Sequence, residues 1–398
     1  MTQPADSPNE AGTDHTAVVD ETISDDETLT EFPDAALDYF GADFDVAGLV
    51  RRLGDGDIVI PRFDPDGEDL EIEIDPTEID PFQRSSVWAP ARMEKFIETL
   101  LLGWPVPSIF LVVESDERYL VLDGQQRLTA LQCFYGGKYR NGSEFRLKKV
   151  VKHLQDKTYE NLTKPERRRL DNTFIQATVV QPKGKGGPQS VYNLFGRLNS
   201  GGVALAPQEV RVALYMGRAT QWIKELNKND NWRALFGKKS ARLKDHELIL
   251  RSLALRASLA RMKEDWSVDS SDFDKYSPPM ASFLNDYLSD NRNLGDVDVP
   301  SLESAFSEAC RLLVSADPRA LRYTTSLNAA HVDAILAALM QLILDGNAPQ
   351  VDEVLGALTV LRRDENYRSA ITHSTSHRDS VRSRLGIAYR VFKGGSLD

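Results

Sequence analysis

The sequence predicts an α+β protein in which a small sheet-and-helix domain precedes an α-helical domain. Short apolar runs of strand length occur at residues 109–113, 119–122 and 174–180, and helical patterns separate them. Beyond Ser190, helical patterns dominate to the end of the chain. With 398 residues, 41% of them hydrophobic, the chain is long enough to bury the cores of two domains.

Charge is distributed very unevenly along the chain. Residues 1–50 contain 13 Asp or Glu and no Lys or Arg, so all 48 basic residues lie in a nearly neutral remainder. We therefore predict a largely disordered acidic leader at 1–45, a sheet-and-helix domain at 46–215 and an α-helical domain at 216–398. No apolar run reaches membrane-spanning length and the N-terminus lacks a basic-then-apolar signal, which predicts a cytoplasmic protein without a membrane partner.

Turn and cap signals define the elements of the first domain. Two short strands at 57–61 and 70–74 flank an Asp-Pro-Asp-Gly turn. Pro90 then opens a helix with one apolar stripe, and the runs at 109–113 and 119–122 form a hairpin. A capping box at Thr163 starts a further helix before the strand at 174–180.

The most informative feature is the corner Asp123-Gly124-Gln125-Gln126-Arg127 between an apolar strand and a helix. A helix N-terminus directs backbone N–H groups and a positive dipole toward such a corner, where a phosphate fits. Gly124 has no Cβ to block a ligand, and the planar fork of Arg127 suits phosphate oxygens. On this interpretation Arg127 binds phosphate and contributes little to folding.

A structural interpretation of the same residues remains open. Asp123 and Gln126 have nearly the spacing of a capping box, so both side chains would then satisfy N–H groups at the helix end. Arg127 would be a solvated helix residue.

Three segments in one order resemble the GmrSD restriction-endonuclease N-terminal-domain family, which belongs to the ParB/sulfiredoxin fold group. The first holds Gln83, Arg84 and Trp88 and precedes a Gly-x-Pro-x-Pro loop at 103–107. The second segment is the Asp123–Arg127 corner. The third runs from Arg197 and Asn199 to Glu209. Together they span about residues 80 to 210, and three ordered motifs are more specific than one.

The resemblance implies a ParB/sulfiredoxin-like domain that binds a nucleoside triphosphate in prokaryotic defence against foreign DNA, with slow hydrolysis of the nucleotide left open. The residues that it places around the phosphates are Gln83, Arg84, Gly124, Gln125, Gln126, Arg127, Arg197 and Asn199. Members often carry a His-Asn-His nuclease domain, whose signature we do not find here. We therefore expect a separate nuclease subunit, DNA and a second copy of the chain as partners, and no direct DNA cleavage.

Asp123 and Glu209 are the candidate catalytic residues, because either carboxylate would polarise a water for phosphate hydrolysis. Mg²⁺ usually accompanies a nucleoside triphosphate and needs few protein carboxylates, with Asp123 the nearest candidate. The pattern does not choose between these roles and simple helix capping. No dedicated metal site is predicted.

A rival interpretation is a non-enzymatic DNA-binding or regulatory module that uses the same corner on a DNA phosphate. Arginines make the C-terminal segment locally basic, and we expect DNA contacts from Arg378, Arg382 and Arg384. The near-neutral body with no aromatic-interleaved basic stripe argues against DNA binding as the sole role. A nuclease with an unrecognised active site is the remaining alternative. The nearby pair His373 and His377 predicts a surface turn rather than a metal site.

Overall fold

The computed structural model describes eight stretches of the chain: residues 18–19, 37–60, 88–114, 117–184, 187–198, 206–240, 242–260 and 276–394. Two compact units result. The N-terminal unit is Thr30–Met216, and the C-terminal unit is Gly217–Asp398 together with Met1–Leu29. The predicted α+β class is confirmed, because the described residues form one mixed sheet in the N-terminal unit and a largely helical C-terminal unit. The closer likeness to ParB and sulfiredoxin remains a prediction.

The N-terminal unit is built on a five-stranded sheet with the order β2-β6-β4-β5-β3. Its strands are Leu37–Asp45 (β2), Ile58–Val59 (β3), Ile109–Val113 (β4), Tyr119–Asp123 (β5) and Phe174–Pro182 (β6). The pairs β2–β6 and β4–β5 are antiparallel, which confirms the predicted hairpin, while β4–β6 and β3–β5 are parallel.

The sheet begins earlier in the chain than the sequence predicts. We assigned residues 37–45 to the acidic leader, but they form the edge strand β2, because Leu37, Ala42 and Phe44 pack against the two cores while the acidic residues between them face solvent. The strand predicted at 57–61 is reduced to Ile58–Val59, and the one predicted at 70–74 lies outside the described residues.

Helices cover both faces of the sheet. Four pack on one face: Val46–Asp55 (α1), Pro90–Leu101 (α2), Gln125–Tyr135 (α3) and Lys164–Asp171 (α4). Two pack on the other: Gly187–Leu198 (α5) and Pro207–Leu214 (α6). Because strand side chains alternate, Val121 enters the first core while its neighbours Leu120 and Leu122 enter the second. The strand β5 is thus buried on both faces, which fixes the position of the corner at its end.

Two predicted helix starts are confirmed. Pro90 occupies the first turn of α2, where its missing N–H costs nothing. Thr163 and Glu166 form a reciprocal capping box at the start of α4, with the Thr163 N–H donating to Glu166 Oε2 over 2.9 Å.

The C-terminal unit consists of nine described helices and a two-residue parallel pairing. Its helices are Arg218–Leu226 (α7), Asp230–Phe236 (α8), Lys244–Leu259 (α9), Met280–Asp290 (α10), Val299–Ala316 (α11), Ala329–Leu344 (α12), Val351–Arg363 (α13), Glu365–Thr372 (α14) and Arg378–Phe392 (α15). Strand β1 (Val18–Val19) pairs with β7 (Leu327–Asn328). Helix α12 is apolar and buried on nearly all sides, so it is the central element of this unit.

Helix α12 also carries two buried polar residues that organise its neighbours. Asp333 accepts hydrogen bonds from Arg251 of α9 at 2.6 Å and from Arg384 of α15 at 3.1 Å, and all three side chains are almost fully buried. His331 contacts the Tyr367 hydroxyl at 2.8 Å and the Ala320 carbonyl at 3.0 Å. These contacts tie α9, α14 and α15 to one helix.

Candidate functional site

The corner at the end of β5 has the strand–glycine–helix geometry that the sequence predicts. Gly124 adopts a left-handed conformation with φ of 95°, and α3 begins at Gln125. A Cβ at position 124 would lie 2.5 Å from the Cγ2 atom of Ile109, so a larger residue would displace strand β4. Both the left-handed backbone conformation and the lack of room for a Cβ atom therefore require glycine at position 124.

The N-cap residue of α3 makes no side-chain hydrogen bond to the N–H groups of the first turn. The residue at the N-cap is Gly124 rather than Asp123, which is still the last residue of β5. The capping-box interpretation is therefore wrong by one position, and the positive end of the helix dipole is directed at the corner without a capping side chain.

The two glutamines of the corner bind neighbouring backbone groups. Gln126 Oε1 accepts a hydrogen bond from the Trp88 N–H over 3.0 Å, and Gln125 Nε2 donates to the Val121 carbonyl over 3.3 Å. Through Gln126, the corner therefore fixes the chain immediately before α2. Gln83 and Arg84, a few residues earlier, lie outside the described residues.

Arg127 is a buried residue that holds a neighbouring loop. Its guanidinium donates to the carbonyls of Pro107 and Ser108, the latter over 3.0 Å, and to Asp123 Oδ2 over 2.7 Å. Burial lowers the pKa of this guanidinium from its ordinary value, whereas the adjacent Asp123 carboxylate raises it. The alternative that Arg127 is a solvated helix residue is therefore wrong, because Arg127 is buried and joins the Gly-x-Pro-x-Pro loop to the corner.

Asp123 combines an ion pair with solvent access. Its side chain is 44% exposed while one carboxylate oxygen contacts Arg127. The exposed carboxylate lies beside the N-terminus of α3, and a metal cation or a water molecule can reach it from solvent. Among the described residues, no cluster of three His, Cys, Asp or Glu side chains has the arrangement of a metal site.

Glu209, the other candidate catalytic residue, lies at the start of α6 and is buried. Its Oε2 atom accepts a hydrogen bond from the Ala206 N–H, so it caps its own helix. Beside it, Gln208 is also buried, and its Oε1 atom accepts a hydrogen bond from Arg211 over 3.1 Å. The Arg197 side chain and Asn199 lie outside the described residues.

The three C-terminal arginines occupy different environments. Arg384 is fully buried, bonded to Asp333 and to the Thr375 carbonyl, so the prediction that it contacts DNA is wrong. Arg378 is exposed and Arg382 half-buried on α15. Arg382 lines a polar cleft of about 510 Å³ between α14 and α15, together with Asn366, Ser369, Asp379 and Arg390.

The histidine pair near these arginines lies in a turn. His373 ends α14, His377 precedes α15, and Ser374 between them has a φ of 44°. Because the two residues are not on one helix, the i, i+4 geometry of a shared cation is missing. The turn prediction is confirmed.

Comparison with known proteins gives one family match. Residues 68–216 match the family described as GmrSD restriction endonuclease, N-terminal domain, a range that contains the corner and the segment around Glu209. Neither the curated proteins nor the solved structures contain a significant match. In the described part of the chain, no helix combines the length and the apolar composition that a membrane span needs. The match over residues 68–216 is consistent with a member of the GmrSD restriction endonuclease N-terminal-domain family, and this domain implies a component of a restriction or defence system.

Proposed function

We propose that the N-terminal unit binds a nucleoside triphosphate at the corner and serves a cytoplasmic anti-phage restriction system as its nucleotide-sensing or nucleotide-hydrolysing component. The observation that carries the proposal is the N-terminus of α3 behind the left-handed Gly124, because the N-cap residue has no side chain to accept the N–H groups of the first turn. Phosphate oxygens accept hydrogen bonds from such N–H groups, and the helix dipole favours negative charge. The DNA target and a separate nuclease subunit are the partners that this role requires.

Asp123 is the better candidate to act in hydrolysis. It is partly exposed at the corner, whereas Glu209 is buried and caps α6. Mg²⁺ fits a site of this kind, because it is held by one or two carboxylates plus substrate phosphates and waters. Bound there, Mg²⁺ would neutralise phosphate charge, with Asp123 as its carboxylate ligand. Arg127 orients Asp123 and keeps the Pro107–Ser108 loop beside it.

Nucleotide titration of the full chain tests this proposal. Each of the common nucleoside triphosphates is titrated calorimetrically with and without Mg²⁺, and phosphate release is followed in parallel. Asp123→Asn keeps an oxygen for Arg127 but removes the negative charge. We expect it to lower Mg²⁺-dependent hydrolysis by about 10²-fold or more. Asp43→Asn, which removes an exposed carboxylate from β2, is the matched control and should leave turnover unchanged.

The rival DNA-binding role of the corner is tested with the same variants. If no nucleotide binds the wild-type chain at millimolar concentration in the presence of Mg²⁺, the proposal fails. If a DNA duplex binds instead, and Asp123→Asn alters its affinity while Asp43→Asn does not, the corner acts on a DNA phosphate.

A further inference from the structure

The segment that follows α3 and includes most of α4 is strongly basic in an otherwise acidic protein. Residues 138–169 contain 11 Lys or Arg against four Asp or Glu, whereas the whole chain carries a net charge of −12. The chain beyond residue 50 is nearly neutral as a whole, so its net charge does not reveal this basic segment. Apart from a short 3₁₀ turn at Lys152–Leu154 and the start of α4, the segment has no regular helix or strand.

Two buried carboxylates of α2 hold the backbone of this segment. Glu94 Oε2 accepts hydrogen bonds from the N–H groups of Lys148 and Lys149 over 2.9 and 2.8 Å. Glu98 Oε1 accepts one from the Val151 N–H over 2.5 Å. Burying carboxylates is costly unless they are hydrogen-bonded, so these contacts fix a specific path for the lysine-rich chain along α2.

The result is a row of cations beside α2, which we call the basic row. It consists of Lys95, Lys148, Lys149, Lys152 and Arg169, all of them exposed. Lys95 lies on α2 itself, the backbone of Lys148 and Lys149 contacts Glu94, and Lys152 follows Val151, whose N–H contacts Glu98. At the other end Arg169 donates to the Leu101 carbonyl over 3.4 Å. Seven residues of helix separate Glu94 from Leu101, so the row is about 10 Å long.

Within the basic row, Lys95 is compensated by an ion pair with Glu98 at 2.7 Å. The other lysines of the row, Lys148, Lys149 and Lys152, have no ion-pair partner among the described residues. Two of the four acidic residues in the segment are occupied elsewhere, since Glu144 pairs with Arg146 at 2.7 Å and Glu166 with Lys157 at 2.5 Å. Exposed lysines without partners repel one another, which favours an anionic partner.

We propose that the basic row docks on the phosphate backbone of duplex DNA. Each strand of a duplex presents one negative charge per about 3.4 Å of the helix axis, so a row of about 10 Å spans roughly three phosphates of one strand. A lysine ammonium group is a point charge and lacks the planar fork with which arginine recognises a base. Lysines therefore suit phosphate contacts, which position the duplex independently of its sequence. The site is independent of the nucleotide corner and extends the proposed function by assigning the surface that holds DNA.

A membrane surface fits the basic row less well. Helices that lie on membranes need a continuous apolar face beside their cations. In the basic segment the apolar side chains of Leu147, Val150 and Leu154 are buried in the core of the unit. Among the described residues, the exposed large apolar side chains near the row are Val151 and, beyond the Leu101 end of α2, Trp104, and these two do not form the continuous apolar face that a membrane-surface segment needs.

Salt-dependent DNA binding tests the proposal. The full chain without nucleotide is titrated into a fluorescent 20-base-pair duplex of mixed sequence at 50 to 200 mM NaCl. Removing three phosphate contacts by Lys148→Ala, Lys149→Ala and Lys152→Ala should weaken binding at least about tenfold at 0.1 M salt. The slope of log affinity against log salt should fall by about 2.7. Folding should not change, because the contacts to Glu94 use backbone N–H groups, and thermal melts check this.

The control variant removes three exposed lysines of the C-terminal unit, Lys228, Lys238 and Lys393, with the same change in net charge. It should lose little affinity and keep most of the salt slope. Lys152→Glu alone provides a second, milder variant that should weaken binding in the same direction. The proposal is overturned if the triple variant binds DNA with wild-type affinity, or if the control variant loses as much affinity as the triple variant.

If only Arg378→Ala and Arg382→Ala weaken DNA binding, the DNA-binding surface lies on α15 instead. If the chain binds anionic vesicles but not DNA, duplex DNA is not the partner of the basic row.

Discussion

Replacing Arg127 with alanine should affect stability as well as ligand binding. The side chain is about 10% exposed and makes three hydrogen bonds, to Pro107, Ser108 and Asp123. A hydrogen bond to a charged group contributes about 1.5–3 kcal/mol, but the Asp123 carboxylate can regain water when its partner is lost. The two loop carbonyls lose donors that solvent replaces only partly. We therefore expect Arg127→Ala to cost about 2–4 kcal/mol of unfolding free energy.

Thermal unfolding measures this loss directly. For a unit of this size, 1 kcal/mol corresponds to about 2–4 °C, so the N-terminal unit should melt roughly 5–15 °C lower. Arg127→Lys should recover part of the loss, since an ammonium cannot reach three acceptors with the geometry of a planar fork. Asp123→Asn, which leaves an acceptor for Arg127, should cost less than Arg127→Ala.

Nucleotide titration of the same variants separates the two roles of Arg127. If Arg127 only positions the loop and Asp123, affinity in Arg127→Lys should follow the fraction of folded protein. If it also contacts phosphate, affinity should fall roughly 10- to 150-fold in variants that remain folded at the assay temperature. A melting temperature of Arg127→Ala within about 2 °C of wild type would refute the structural argument.

Three further predictions concern the C-terminal unit and the activity of the chain. Arg384→Ala leaves the buried Asp333 with one cation fewer and should destabilise by about 3–5 kcal/mol in denaturant titrations, whereas exposed Arg378→Ala should change stability by less than about 0.5 kcal/mol. Burial lowers the pKa of His331 to about 4, so the unfolded state binds its proton first. The contribution of neutral His331 to the free energy of unfolding should be fully present above pH 6.5 and should fall by about 3 kcal/mol as the pH drops to 4. In thermal melts, His331→Gln should reduce this dependence of stability on pH. Purified chain with Mg²⁺ should leave plasmid DNA intact, and cleavage abolished by a substitution in this chain would contradict the missing nuclease signature.

The corner could be predicted from sequence because its signals are local. An apolar strand, a glycine and a helical repeat lie within about fifteen consecutive residues, and Gly124 adopts the left-handed conformation that such a turn requires. The role of Arg127 could not be predicted in this way. Its acceptors at Pro107 and Ser108 lie about twenty residues earlier, and backbone carbonyls carry no sequence signal.

The environment of Arg384 did have a signal in the sequence. Val381, Leu385 and Ala388 recur at helical spacing and are all buried, and Arg384 lies on the same face. A cation at such a position needs a buried anion, and Asp333 within the apolar helix α12 supplies it. The prediction of DNA contacts used the number of arginines in the C-terminal segment and not their helical periodicity. In the same way, the net charge of the chain beyond residue 50 does not reveal the basic segment at 138–169.

The charge balance of the corner decides how a nucleotide could bind there. The exposed Asp123 carboxylate would repel phosphate oxygens, and Arg127 neutralises it only from the buried side. A triphosphate would therefore gain little from the helix dipole alone, which is worth about 0.3–1 kcal/mol at an exposed site. A divalent cation between Asp123 and the phosphates converts this repulsion into coordination. Under the proposed function, nucleotide affinity should thus depend steeply on Mg²⁺ in the wild type and weakly in Asp123→Asn. Equal affinity with and without Mg²⁺ in both proteins would exclude the carboxylate from the nucleotide site.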